Sequence, residues 1–148
     1  MRMRRYMGAA LALAVASSAG AVDLGGLQGF EPLFGRYGPG GDCGRFPQVV
    51  VAAPGISLDQ GQGKVEQVRQ VEYAASWFGG GYQGIAMAFL PQWPEAGGNP
   101  VVVVVNAGER EGALEVEPQD FGWKGGPPMP ARFQPWLKGS PYVRCAGS

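Results

Sequence analysis

From Phe46 onward, short apolar runs alternate with turn residues. Gln48 to Ala53 reads Gln-Val-Val-Val-Ala-Ala between Pro47 and Pro54-Gly55. β-branched residues bounded by such breakers predict a strand. Ile56-Ser-Leu-Asp59 alternates apolar and polar positions before Gly61-Gln-Gly63, so a hairpin is expected at Pro54-Gly55. Gly84 to Leu90 and Pro100 to Asn106 are two further runs, the second with five consecutive valines, separated by a nine-residue loop from Pro91 to Asn99. Ala113 to Glu117 alternates again, and Tyr142 to Cys145 predicts a closing strand pinned by its cysteine.

Lys64 to Phe78 fits two periods. At 3.6 residues per turn, Val65, Val68, Val71, Ala75 and Phe78 share a side, with Gly79 as a stop. At period two, Val71, Tyr73, Ala75 and Trp77 line one face. The flanking hairpin signals favour strands, and turns at Pro54-Gly55, Gly61–Gly63, Gly79–Gly81 and Gly97-Gly98 would make one antiparallel meander through the centre. The expected fold is therefore mainly β, a small antiparallel sandwich or barrel with Gly/Pro-rich loops and one disulfide. The alternative is α+β with one helix at about 64–78.

The ends read differently. Residues 22–42 are an irregular Gly-rich lead-in, where Leu24, Leu27 and Phe30 allow one helical turn before Pro32 stops it. Residues 43–148 form a single domain closed by a disulfide. Lys124 to Pro141, with Gly125-Gly126-Pro127-Pro128-Met129-Pro130, predicts a polyproline-like surface excursion. Its Met129, Phe133 and Trp136 suit a lid over the core or a binding loop.

Composition supports burial over disorder. Among 148 residues there are 26 Gly and 13 Pro, but 45% are hydrophobic and only 16% charged. A chain that apolar can offset its conformational entropy by burial. The N-terminus carries Arg2, Arg4 and Arg5, an apolar stretch from Met7 to Ala16, and Ala19-Gly20-Ala21. A basic region, a short apolar region and small residues at −3 and −1 predict a secretory signal, residues 1–21, and a periplasmic or secreted protein. Cleavage after Ala21 would take three of the 12 basic residues, leaving nine against 12 acidic, a net charge near −3 on 127 residues. No basic cluster suits nucleic acid, and no second apolar run approaches membrane-spanning length. Two cysteines, Cys43 and Cys145, in an oxidising compartment predict a bridge.

The candidate chemistry is sparse. The chain has no His, which removes Ser–His and Cys–His nucleophile pairs and histidine metal ligands. Gly79-Gly-Gly81-Tyr-Gln-Gly84 matches a dinucleotide fingerprint in spacing, but the next segment predicts a strand where that motif needs a helix. No cofactor or metal is expected. Glu109, Glu111, Glu115, Glu117 and Asp120 fall within twelve residues. They read first as a solvated face, then as an acidic binding surface, and last as paired catalytic carboxylates. Trp93, Trp123 and Trp136 lie among Pro and Gly, where an indole caps a small core or serves as a rigid recognition platform. The candidate binding residues are thus Trp93, Trp123, Trp136, Tyr82, Glu109, Glu111 and Asp120.

These features point to an envelope binding module acting on an exported protein or a cell-wall glycan, for example an inhibitor or immunity protein that caps a basic cell-wall hydrolase. A carboxylate-dependent glycan hydrolase and a structural envelope protein are the alternatives.

Overall fold

The β-branched runs become strands, and their pairing curls the chain into a barrel. A computed structural model describes residues 22–96, 98–119 and 129–147, and the proposed signal segment 1–21 lies outside them. The strands are β1 (Val22–Leu24), β2 (Gly35–Pro39), β3 (Gln48–Ala52), β4 (Gly55–Asp59) and β5 (Val65–Val68). They continue with β6 (Val71–Tyr73), β7 (Met87–Pro91), β8 (Val101–Val105), β9 (Ala113–Pro118) and β10 (Tyr142–Arg144). They form one sheet in the order β1-β6-β7-β8-β9-β10-β2-β3-β4-β5, and every neighbouring pair is antiparallel.

The link between β5 and β6 shows why the sheet must curl. β5 is the last strand of the order and β6 the second from its other end, yet only Arg69 and Gln70 separate them in the chain. Three Cα steps reach roughly 11 Å. A flat ten-stranded sheet is several times wider than that at about 4.8 Å per strand. The two ends must therefore approach one another, and the result is a nearly closed barrel. The expected meander thus runs as two pieces, β3-β4-β5 and β6-β7-β8-β9, broken where β5 and β6 fail to pair.

The segment 64–78 holds β5 and β6 and no helix, but β6 ends at Tyr73, so Ala75 and Trp77 lie in the turns that follow and not on its face. Ala52 pairs with Gly55, so the first hairpin turns on Ala53-Pro54. Gly55 has φ of +146° and packs against the Val68 carbonyl so closely that no Cβ fits.

Two expectations about the ends are corrected. Residues 22–42 are not an irregular lead-in: they hold β1 and β2, and β2 is an interior strand between β10 and β3. Pro32 also lies within a 3-10 turn, Glu31–Leu33, rather than ending one, since a missing N–H is no loss at a helical N-terminus. Tyr37 locks this segment down, donating its hydroxyl to Leu33 O at 2.7 Å while accepting from Arg144 Nη2 at 2.8 Å. Near the C-terminus, the described part of the expected polyproline excursion is helical. A 3-10 turn, Ala131–Phe133, runs into α1 (Gln134–Gly139), where Pro135 again occupies the tolerant first turn.

The barrel interior is filled by side chains from alternate strand positions, among them Tyr37, Val49, Ile56, Phe89, Val103 and Leu114, each 0% exposed. The segment bearing α1 closes one end. Phe133 and Trp136 enter the core, and Trp136 Nε1 donates to Gln48 O at 3.2 Å. Tyr142 donates its hydroxyl to Trp136 O at 2.6 Å, and Val116 N donates to Ser140 Oγ at 2.9 Å. Cys43 and Cys145 form the expected disulfide, with Cα atoms 5.8 Å apart. Beside it Gln48 is fully buried but satisfied, donating to Cys43 O and Arg45 O and accepting from Arg36.

The five valines of β8 are buried on both faces. Val101, Val103 and Val105 face the barrel core, while Val102 and Val104 join a second cluster with Ala74, Ala86, Ala88, Leu90 and Ala107. That second cluster is packed over by Trp77 and Tyr82 from the β6–β7 connection. Among the described residues no helix is long and apolar enough to cross a membrane.

Candidate functional site

The connection from β6 to β7, residues 74–86, is the longest described loop that packs onto the outside of the barrel. It begins with Ala74 N donating to Ala88 O at 3.0 Å. Successive turns follow, from Trp77 N to Ala74 O, Gly79 N to Ser76 O and Tyr82 N to Gly79 O. Gly79, at φ of +96°, lets the chain reverse between them. One side of this loop covers the second apolar cluster with Trp77 and Tyr82. The other side presents Phe78 at 38% and Ile85 at 44% exposure. Phe78 and Tyr82 rings pack with centroids 4.7 Å apart.

A second loop meets the first. Between β8 and β9, Asn106, Gly108 and Glu109 all have positive φ, of 55°, 62° and 60°. Asn106 is nearly buried, donates to Ile85 O at 3.3 Å and accepts from Gly112 N at 3.0 Å. The left-handed conformation costs a residue such as Glu about 1–2 kcal/mol. It persists here because the turn holds the Glu109 carboxylate over the end of the 74–86 loop. Tyr82 donates its hydroxyl to Glu109 Oε1. Ile85 N donates to Glu109 Oε2 at 2.9 Å, and Ala86 N donates to the Tyr82 hydroxyl at 2.8 Å. Gly84 sits so close under Tyr82 and Glu109 that a side chain there would push them apart.

The electrostatics follow from these contacts. Desolvation, and then the hydrogen bond to Glu109, raises the Tyr82 pKa, so its hydroxyl stays a donor at neutral pH. The Tyr82 hydroxyl, and then the Ile85 amide, lowers the Glu109 pKa, so that carboxylate is charged. Glu111 is exposed at the turn into β9, with Arg110 beside it. Glu115 and Glu117 are half-buried on β9, opposite Val104 and Val102 of β8. Desolvation, and then Glu115, pushes the Glu117 pKa up. They share one strand face two residues apart.

Of the candidate residues, the fold unites Tyr82 and Glu109, which lie 27 positions apart in the chain. Trp93 and Trp136, expected as possible recognition platforms, are instead 4% and 2% exposed. Trp93 packs edge-on against Phe133, with centroids 4.9 Å apart, so these indoles cap the core. Trp123 and Asp120 lie outside the described residues. Gly79–Gly84 falls in the loop between two antiparallel strands, without the strand-to-helix setting a pyrophosphate needs. Phe78 and Ile85 are exposed outside the expected candidates, and the signal for the first is an aromatic placed directly before three glycines.

The site is therefore an exposed aromatic and aliphatic pair on a hydrogen-bonded loop, with a charged carboxylate at its edge. No family model, curated protein or solved structure matches the chain.

Proposed function

We propose that the protein is an exported envelope binding module that recognises a partner protein through the 74–86 loop. The observation that carries this reading is the exposure of Phe78 and Ile85 on either side of the Tyr82–Glu109 pair. Large apolar side chains in a polar rim suit anchoring in a partner's pocket, and ordering the loop beforehand lowers the entropy cost of binding. Glu109, Glu111, Glu115 and Glu117 give this flank acidic character. With the proposed mature charge near −3, that favours encounter with a basic partner such as a basic cell-wall hydrolase. Glu109 spends both carboxylate oxygens on Tyr82 and Ile85, which suits holding a surface better than moving protons.

The test uses protein recovered from the periplasmic fraction, whose first residue should be Val22, mixed with a panel of purified basic muramidases. The expected result is inhibition of at least one, weakened on the order of a hundredfold in a Phe78→Ser/Ile85→Ser double variant that melts like wild type. Equal inhibition by that variant would overturn the proposed surface, and no inhibition across the panel would overturn the proposed partner class.

A further inference from the structure

The barrel is not fully closed, and β5 is the last strand on one side of its seam. Hydrogen-bonded pairs alternate along an antiparallel ladder, so successive residues of an edge strand point their N–H and C=O toward the neighbour and then away. In the β4–β5 hairpin Gln60 N donates to Lys64 O at 2.9 Å, which sets that alternation. Glu66 and Val68, opposite Leu58 and Ile56, therefore bond to β4. The Val68 carbonyl lies close against Gly55 of β4, as this phase requires. Val65 and Gln67 turn their N–H and C=O the other way, where no strand pairs with them among the described residues. Both are exposed, and a cleft of about 310 Å³ opens beside Val65 and Glu66. We propose that this edge takes up an acidic, extended segment of another polypeptide as an additional antiparallel strand.

The backbone selects the conformation. Outward N–H and C=O groups two residues apart, roughly 7 Å, match the ladder of a second strand. The side chains select the charge. Lys64 and Arg69 flank β5, both exposed and in no ion pair among the described residues. Arg132 stands beside the strand, 3.6 Å from Glu66. Charges on an edge strand deter indiscriminate pairing. Cations at both ends leave a carboxylate-bearing strand favoured, since opposite charges across a pair stabilise and like charges repel. A second copy of this chain would bring the same cations to the seam, so the occupant is a different polypeptide. The edge is also pre-formed, because β5 is paired with β4 along all four residues. This surface is separate from Phe78 and Ile85 and does not depend on what they bind.

The experiment is hydrogen exchange and amide chemical shifts on the isotope-labelled protein, free and titrated with three blocked hexapeptides. The first alternates Thr and Glu, the second alternates Thr and Lys, and the third is the acidic one with alternate amides N-methylated. In the free protein the Val65 and Gln67 amides should exchange fast while those of Glu66 and Val68 exchange slowly. The acidic peptide should bind saturably, with a Kd on the order of 1 mM at low salt, and protect Val65 and Gln67. The lysine and N-methylated peptides should bind at least tenfold more weakly. A Lys64→Glu/Arg69→Glu double variant should lose about tenfold for the acidic peptide, gain for the lysine peptide, and melt like wild type. Slow exchange of Val65 and Gln67 in the free protein would show the edge already covered and overturn the proposal. So would no saturable binding, binding that leaves those two amides unprotected, or equal binding of either control peptide. Wild-type preference in the double variant would overturn the charge selection. Protection of the two amides by raised protein concentration alone would make a second copy the occupant and overturn the partner named.

Discussion

Glu109 stands at φ of +60°, where a side chain with Cβ pays a backbone penalty, and its carboxylate organises the neighbouring loop. This residue makes the loop pH-sensitive at both extremes. Its folded pKa is lowered by Tyr82 and Ile85, so its contribution is present above the ordinary carboxylate range and lost as pH falls through the folded value. The Tyr82 pKa is raised, so its contribution is present below the ordinary tyrosine range and lost as pH rises through the folded value. The amide signals of Ile85 and Ala86 should therefore hold steady around neutrality and move toward solvent-exposed positions in acid and in strong alkali. Glu109→Ala should produce the acid-like spectrum at pH 7. Signals that ignore both pH and the substitution would show that Glu109 does not hold the loop.

At the scale of elements, β8 behaves as a central strand with no wet side. Val102 and Val103 point to opposite faces, yet both are 0% exposed. One faces the barrel interior, and the other lies in the cluster packed over by Trp77 and Tyr82. Losing two buried methyl groups costs about 2 kcal/mol, including part of the cavity left behind. Val102→Ala and Val103→Ala should thus destabilise by similar amounts in urea unfolding. An outer-face change costing under about 0.5 kcal/mol would mean that the 74–86 loop does not seal the sheet. The same packing explains why this loop can be both ordered and exposed. Trp77 and Tyr82 anchor it, which leaves Phe78 and Ile85 free to face outward.

For the whole molecule, the bridge between Cys43 and Cys145 is the longest-range covalent constraint, closing a separation of 102 residues. It joins the connection after β2 to the end of β10, two strands that already pair in the sheet. The native state therefore gives up little to accommodate it, and its main effect falls on the unfolded chain. The loop-closure model gives about 4–5 kcal/mol for a loop this long. Reduction should lower the denaturant midpoint by a corresponding amount and leave the amide spectrum of the folded protein largely unchanged. A midpoint shift equivalent to under about 1 kcal/mol would show that the unfolded chain is already restrained there.

Much of the fold was legible in the chain because strand formation draws on local signals. The valine runs at 49–51 and 101–105, and the glycines and prolines between runs, act through steric preferences within a few residues. The lead-in misled because β2, Gly-Arg-Tyr-Gly-Pro, has almost no intrinsic strand preference and is made a strand by pairing with β10 and β3 on its two sides. Pro135 misled in the opposite sense, since a proline that breaks a helix interior fits comfortably in its first turn. Within the site, Tyr82 and Glu109 were nameable as candidates, but their partnership was not, because they lie 27 positions apart in the chain. Trp93 and Trp136 had the same flanking prolines whether they faced the core or the solvent, and only the position of the barrel end decided for the core. The sequence by itself determined where short strands form, that the two cysteines suit a bridge, and that histidine chemistry is absent. The tertiary structure decided which faces are wet, which strands meet across the barrel, and which side chains share a surface. Those outcomes depend on contacts between distant segments, which local preference does not encode.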